Sequence, residues 1–275
     1  MTSTIQQRCD HTGRFAYLET GTDQKGHAPT LVLLHGVGMQ SAAWGPQLTG
    51  LAQDRHIIAL DLPGHGHSLP LEYDAHLPEF VNWLHHAVEA LELNCIALAG
   101  HSMGALIAGG FAASYIDLVD RVALLNPVFK RNAQQSSAVI ARAANIQNGC
   151  FDIETPLMRW FGETPIEQQA RRDVSKWLSA VDLSGYATAY RAFAHGDATY
   201  ADRYQRIGGP LLALTGAGDP NSTPAMSQEI AHMVPLGRAI IIENHRHMVN
   251  LTAPDRVNDA LNDWLAMPKK KVTAA

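Results

Sequence analysis

Three residues in the order Ser, Asp, His, each just beyond an apolar run, make acyl transfer the first chemistry to consider in this sequence. Ser102 lies in Gly100-His101-Ser102-Met103-Gly104, Asp219 in Gly216-Ala217-Gly218-Asp219-Pro220, and His247 in Asn244-His245-Arg246-His247. A serine hydroxyl is a poor nucleophile until a base removes its proton, and imidazole is the side chain that does this near neutral pH. A carboxylate then fixes the imidazole tautomer and stabilises the imidazolium formed during attack. A fourth stretch, His35-Gly36-Val37-Gly38, can turn backbone N–H groups towards the serine. The N–H of Val37 and that of Met103, just after the nucleophile, are the expected oxyanion donors. Taken singly, each stretch also reads as a plain turn, and His245 competes with His247 for the role of base.

These residues need a frame to bring them together. The segments 15–19, 31–34, 56–60, 95–100, 122–125, 210–215 and 239–243 read as strands. Most are continuously apolar, not alternating. Helical spacing separates them: Phe80, Leu84, Val88 and Leu91 fall on one face of 77–91. That combination predicts a parallel sheet covered on both faces. Ligands of such sheets bind beyond the carboxyl ends of the strands, where Ser102, Asp219 and His247 fall. The strand run from Cys95 into Gly100 meets Ser102 and then a small-residue helix, the strand–turn–helix setting that a strained nucleophile requires. The rhythm breaks after Asn126-Pro127. Helical segments at 138–146, 154–161, 167–178 and 183–194 then follow without a strand, so 129–207 reads as an insertion between two strands of one sheet. Residues 1–13 read as an irregular lead-in.

The 275 residues are 46% hydrophobic and 17% charged, enough for a sizeable core. A formal net charge of -5 gives no reason to expect nucleic acid or an anionic membrane as partner. No apolar run approaches the ~20 residues of a membrane span, and the polar first ten residues carry no secretory pattern. Cys9, Cys95 and Cys150 are scattered, as reduced thiols of a cytoplasmic protein would be, with Cys95 expected to be small and buried. The His65/His67 and His245/His247 pairs lack companion ligands at metal spacing, so no metal site is expected. Lys269-Lys270-Lys271 reads as a solvated tail.

Taken in order, His35-Gly36-Val37-Gly38 with Trp44, Asp61-Leu62-Pro63-Gly64-His65-Gly66-His67-Ser68, the 100–104 elbow, Gly216 to Asp219, and His247 with Pro254 resemble the α/β-hydrolase superfamily over residues 14–266. The resemblance implies a mostly parallel eight-stranded sheet flanked by helices, with a helical cap inserted after strand six. Residues 1–128 and 208–275 would form the core and 129–207 the cap. It implies that Asp61 and the glycines after it form a structural turn, and that Ser102, Asp219 and His247 are the catalytic triad, with no cofactor. Gly218-Asp219-Pro220 and His247-Met248-Val249-Asn250-Leu251 are similar to 3-oxoadipate enol-lactonases, although Thr252 stands where an acid is frequent and Arg246 where a small residue is usual.

The expected activity is therefore hydrolysis of a small ester or lactone, with amide hydrolysis as runner-up. Serine at the elbow argues against haloalkane dehalogenases, and His101 and Met39-Gln40 argue against C–C bond hydrolases. Perhydrolases share the triad. A catalytically silent receptor or scaffold is disfavoured by the intact Ser, Asp and His. Candidate substrate contacts are His35, Gly36, His101, Trp160, Trp177, Tyr190 and Arg246. Arg159, Arg171, Arg172 and Arg191 are further cations that a substrate carboxylate would meet in the cap.

Overall fold

A computed structural model describes residues 4–268. Eight strands form one sheet: β1 (Gln6–Cys9), β2 (Ala16–Thr20), β3 (Thr30–Leu34), β4 (Ile57–Leu60), β5 (Ile96–His101), β6 (Val119–Leu125), β7 (Leu211–Gly216) and β8 (Gly237–Ile242). Their spatial order is β1-β2-β4-β3-β5-β6-β7-β8. The first two strands are antiparallel, and every pairing from β4 to β8 is parallel. The α/β-hydrolase architecture expected from the sequence is the one observed.

The apolar runs become central strands because both faces are covered. Along β3, Val32 and Leu34 point into one core cluster, while Leu31 and Leu33 point into the other. The first cluster packs α2 (Leu77–Ala90), α3 (Met103–Ser114) and α8 (Pro224–Met233) on one face. The second packs α1 (Gly45–Gly50) and α10 (Pro254–Ala266) on the other, around the fully buried indoles of Trp44 and Trp264. Alternate side chains of a strand point to opposite faces, so a strand buried on both sides shows no polar alternation.

Four helices lie between β6 and β7: α4 (Ala133–Gln147), α5 (Glu154–Trp160), α6 (Pro165–Ala180) and α7 (Leu183–His195). The first begins earlier than the segment 138–146 expected from spacing. Asn132 caps α4, its Oδ1 accepting from Gln135 N–H at 2.9 Å while Gln135 Oε1 accepts from Asn132 N–H at 3.1 Å. This reciprocal box satisfies two donors that the helix leaves orphaned, so the helix begins one turn before its first apolar residues. A short helix, α9 (Val249–Thr252), follows His247.

Two further expectations fail. Residues 6–9 are a strand, not irregular: Gln6-Gln7-Arg8-Cys9 is exposed throughout and gains its ladder from β2. Cys95 is exposed before β5 instead of buried within it. The triple-lysine stretch at 269–271 lies outside the described residues. No helix among the described residues is long and apolar enough to cross a membrane.

Candidate active site

The turn between β5 and α3 holds Ser102 at φ 53°, ψ -111°, a backbone conformation that an L-residue adopts only under strain. The strain is fixed from both sides. Ser102 N–H donates to Leu125 O on β6 at 2.9 Å, while its carbonyl accepts from Ala105 and Leu106 N–H in the first turn of α3. There is no room for a side chain on either flank. A Cβ on Gly100 would stand 2.0 Å from Gly104 O, and one on Gly104 2.2 Å from Leu34 O.

Asp219 and His247 arrive from the ends of β7 and β8. His247 Nδ1–H donates to Asp219 Oδ2 at 2.7 Å, and both residues are buried. That bond fixes the tautomer and leaves Nε2 with a lone pair. Asp219 Oδ1 accepts from the N–H groups of Asn221 (2.8 Å) and Ser222 (3.1 Å), and Oδ2 also accepts from Asn126 Nδ2 at 2.7 Å. Burial pushes the Asp219 pKa up, but the adjacent His247 and these hydrogen bonds outweigh it. The carboxyl is therefore held below its ordinary range. His245 is engaged elsewhere, its Nδ1 3.0 Å from Thr252 Oγ1.

Asn126, where the strand–helix rhythm of the sequence breaks, belongs to the site without being among the expected site residues. It directly follows β6, adopts φ 46°, and spans Thr215 Oγ1, Asp219 Oδ2 and Arg246 O with one amide. The available signal was its position, a polar residue before proline at a strand's carboxyl end.

The loop carrying Val37 is braced by two imidazoles. His35 Nε2 accepts from Leu62 N–H at 2.9 Å, and its Nδ1–H donates to Gly36 O. His65 reciprocates: its Nε2 accepts from Gly38 N–H at 2.8 Å and its Nδ1–H donates to Pro63 O. Only a neutral imidazole accepts, and burial pushes the pKa values down to about 4 for His35 and about 3 for His65. His35 therefore braces the turn and does not line the cavity, contrary to its expected substrate contact. Asp61 ties the same turn by accepting from Ser41 and His67 N–H. The N–H groups of Val37 and Met103 donate no hydrogen bond among the described residues.

These groups share a cavity of about 630 Å³ whose wall includes Gly36, Val37, His101, Ser102 and His247. That size suits a small organic molecule. His101 Nε2–H donates to His247 O at 2.8 Å, which ties the serine turn to the histidine loop across 146 residues. Burial, and then proximity to His247, pushes the His101 pKa down to about 3.

The helical insertion supplies most of the remaining wall, with Met39, Pro220, Asn221 and Met248 from the core. Trp160 stacks on the His247 ring at 5.5 Å and 26°, and Tyr190 lines the cavity as expected. Trp177 does not: it packs against the apolar core from α6, away from the cavity. Arg246 is likewise displaced from its expected role. Its Nη1 donates to Met158 O (3.1 Å) and Phe161 O (2.6 Å), fastening the histidine loop to the insertion. Among the described residues, ligand-spaced donors gather at His85, His86 and Glu89 on α2, not on the cavity wall.

The chain and its fold resemble those of known proteins. The chain is 51% identical over 242 residues to an (E)-2-((N-methylformamido)methylene)succinate hydrolase of Acinetobacter baylyi, covering 88% of this chain and 92% of that protein. The structure superposes on an enol-lactonase from Burkholderia xenovorans with a TM-score of 0.81 and 22% identity, covering 95% of this chain and 100% of the other. An esterase from Thermogutta terrifontis also gives 0.81 at 22% identity, over 95% of this chain and 98% of that one. At such identity these two structures speak for the fold alone. Residues 31–260 match the model of the alpha/beta hydrolase family, and the chain belongs to that family.

Proposed function

We propose that this hydrolase cleaves an amide or ester bond of a small carboxylate-bearing compound by two-step acyl transfer on Ser102, His247 and Asp219. The observation that carries the reading is the 2.7 Å contact of His247 Nδ1 with a buried Asp219, on the same cavity as a serine held at φ 53°. Ser102 Oγ attacks the substrate carbonyl while His247 Nε2 takes its proton. The oxyanion rests on the N–H groups of Val37 and Met103, and each such donor contributes about 3–4 kcal/mol to the transition state in comparable sites. His247 then protonates the departing nitrogen or oxygen. A water deprotonated by the same imidazole finally releases the acid and frees Ser102. Residues 129–207 serve as the cap that shapes the pocket.

The 51% identical relative shifts the bond from the ester or lactone expected from sequence towards an amide. A succinate carrying an N-methylformamido-methylene group has one acyl–nitrogen bond, that of the formamide. Attack there gives a formyl-enzyme and, after hydrolysis, formate. The leaving fragment keeps both carboxylates.

The test is formate release from (E)-2-((N-methylformamido)methylene)succinate, with and without Ser102→Ala, alongside fluorophosphonate labelling. We expect a single adduct at Ser102, and in Ser102→Ala a rate at least about 10³-fold below that of the unaltered protein. A Ser102→Ala variant that retained most of its turnover would falsify the reading.

A further inference from the structure

We propose that Arg142 and Arg159, facing the cavity from α4 and α5, hold a carboxylate of the substrate, with the Tyr190 hydroxyl as third donor. The assignment rests on the reading of the chain as a hydrolase of small carboxylate-bearing compounds, and it names the groups that recognise the charge.

Four other arginines of the insertion are already committed, Arg131 among them although it too lines the cavity. Arg131 pairs with Asp197 at 3.2 Å and lies over the Phe193 ring. Arg171 pairs with Glu154 at 2.7 Å, Arg172 donates to Gln169, and Arg191 donates to the carbonyls of Tyr73 and Ala75. Arg142 and Arg159 differ. Both line the cavity and, among the described residues, neither forms an ion pair with a carboxylate. Arg142 Nη1 donates to Tyr190 Oη at 3.0 Å, and the Arg159 guanidinium makes no hydrogen bond among the described residues.

Both guanidinium groups face the same cavity. Burial, and then the charge of Arg142, lower the Arg159 pKa, opposed by Tyr190 and the exposed Asp152. Two cations without a carboxylate partner and a single exposed acid, Asp152, line this cavity, which makes it a site short of negative charge. A carboxylate supplies it, and guanidinium forks match its geometry. Tyr190 accepts from Arg142, so its own hydroxyl hydrogen remains to donate. Tyr186 and Phe193 complete an aromatic surround in which charge-assisted hydrogen bonds are weakly screened. The chain places this site beside the reacting groups: Arg159 precedes Trp160, whose ring lies on His247.

The experiment measures equilibrium binding of succinate and of its neutral isostere succinamide by calorimetry on the full chain, so no turnover is needed. Unaltered protein should prefer succinate. Arg142→Gln and Arg159→Gln should each weaken succinate binding about 10-fold or more, as expected for loss of a charged hydrogen bond, with far less effect on succinamide. Arg159→Lys should fall between, keeping the charge without the fork, and Arg172→Gln should change nothing. If Arg142→Gln fails to fold, Arg159→Gln and Arg159→Lys decide the matter. Equal affinity of the unaltered protein for succinate and succinamide overturns the assignment, as does unchanged succinate binding in the variants. Turnover by Ser102→Ala would instead remove the acyl-transfer mechanism and leave these binding results standing.

Discussion

Acidification from pH 7.5 to 5 should destabilise this protein steeply, through three imidazoles that the fold keeps neutral. His35, His65 and His101 are buried, and burial pushes their pKa values down to about 4, 3 and 3. In the unfolded chain each titrates near 6.5. Below 6.5 the unfolded state therefore binds more protons than the folded one. Stability is fully present above that pH and is lost as pH falls towards the folded-state values. At pH 5 each group withdraws about 2 kcal/mol, and the three together roughly 6 kcal/mol, against a typical total of 5–15 kcal/mol. Asp219, held below the ordinary carboxylate range, titrates beneath this window and adds nothing between pH 5 and 7. Denaturant unfolding followed by circular dichroism at half-unit steps from pH 5 to 8 measures the slope. His65→Gln keeps an acceptor for Gly38 N–H without a titrating ring, and it should remove about a third of the loss. A flat profile between pH 7.5 and 5, or a His65→Gln profile parallel to the parent, refutes the reasoning.

Three other outcomes are expected. Gly104→Ala should lower unfolding free energy by more than about 3 kcal/mol, because its Cβ meets Leu34 O at 2.2 Å, whereas Gly218→Ala, whose nearest neighbour is at 3.4 Å, should stay within about 1 kcal/mol; parallel denaturant titrations compare them. Asn126→Ala removes a donor to Asp219 and should reduce kcat about 10-fold with little change in KM, whereas Asn126→Asp sets a second carboxylate beside Asp219 and should shift the acidic limb of the kcat–pH profile upwards. Arg246→Ala should raise KM for charged and neutral substrates alike, since its guanidinium holds Met158 and Phe161 carbonyls; a KM change confined to charged substrates in steady-state kinetics would return Arg246 to substrate recognition.

The central strands and their helices were legible because burial on two faces writes itself as uninterrupted Leu, Ile, Val and Ala, as in β3 and β7. The serine turn was legible because steric exclusion at Gly100 and Gly104 leaves a local signature. What spacing cannot carry is contact between distant segments. β1 is four exposed residues whose strand character comes wholly from pairing with β2. His35 looks the same in sequence whether it meets a substrate or, as here, accepts a backbone N–H from Leu62. Arg246, expected at the substrate, instead holds carbonyls of the insertion for the same reason. A guanidinium reaches far enough that its partner is set by tertiary packing, and the carbonyls that hold Arg246 lie more than 80 residues away. Among candidate bases, the 2.7 Å contact with Asp219 belongs to His247, while His245 faces Thr252.

The carboxyl end of α5 gathers three connections within four residues. Met158 and Phe161 carbonyls hold Arg246, Arg159 faces the cavity, and Trp160 lies on His247. Opening the pocket by swinging this turn outward would therefore unstack the imidazole and release the residue next to it in the same movement. A change that loosens this turn would reach the cavity wall and the His247 ring together.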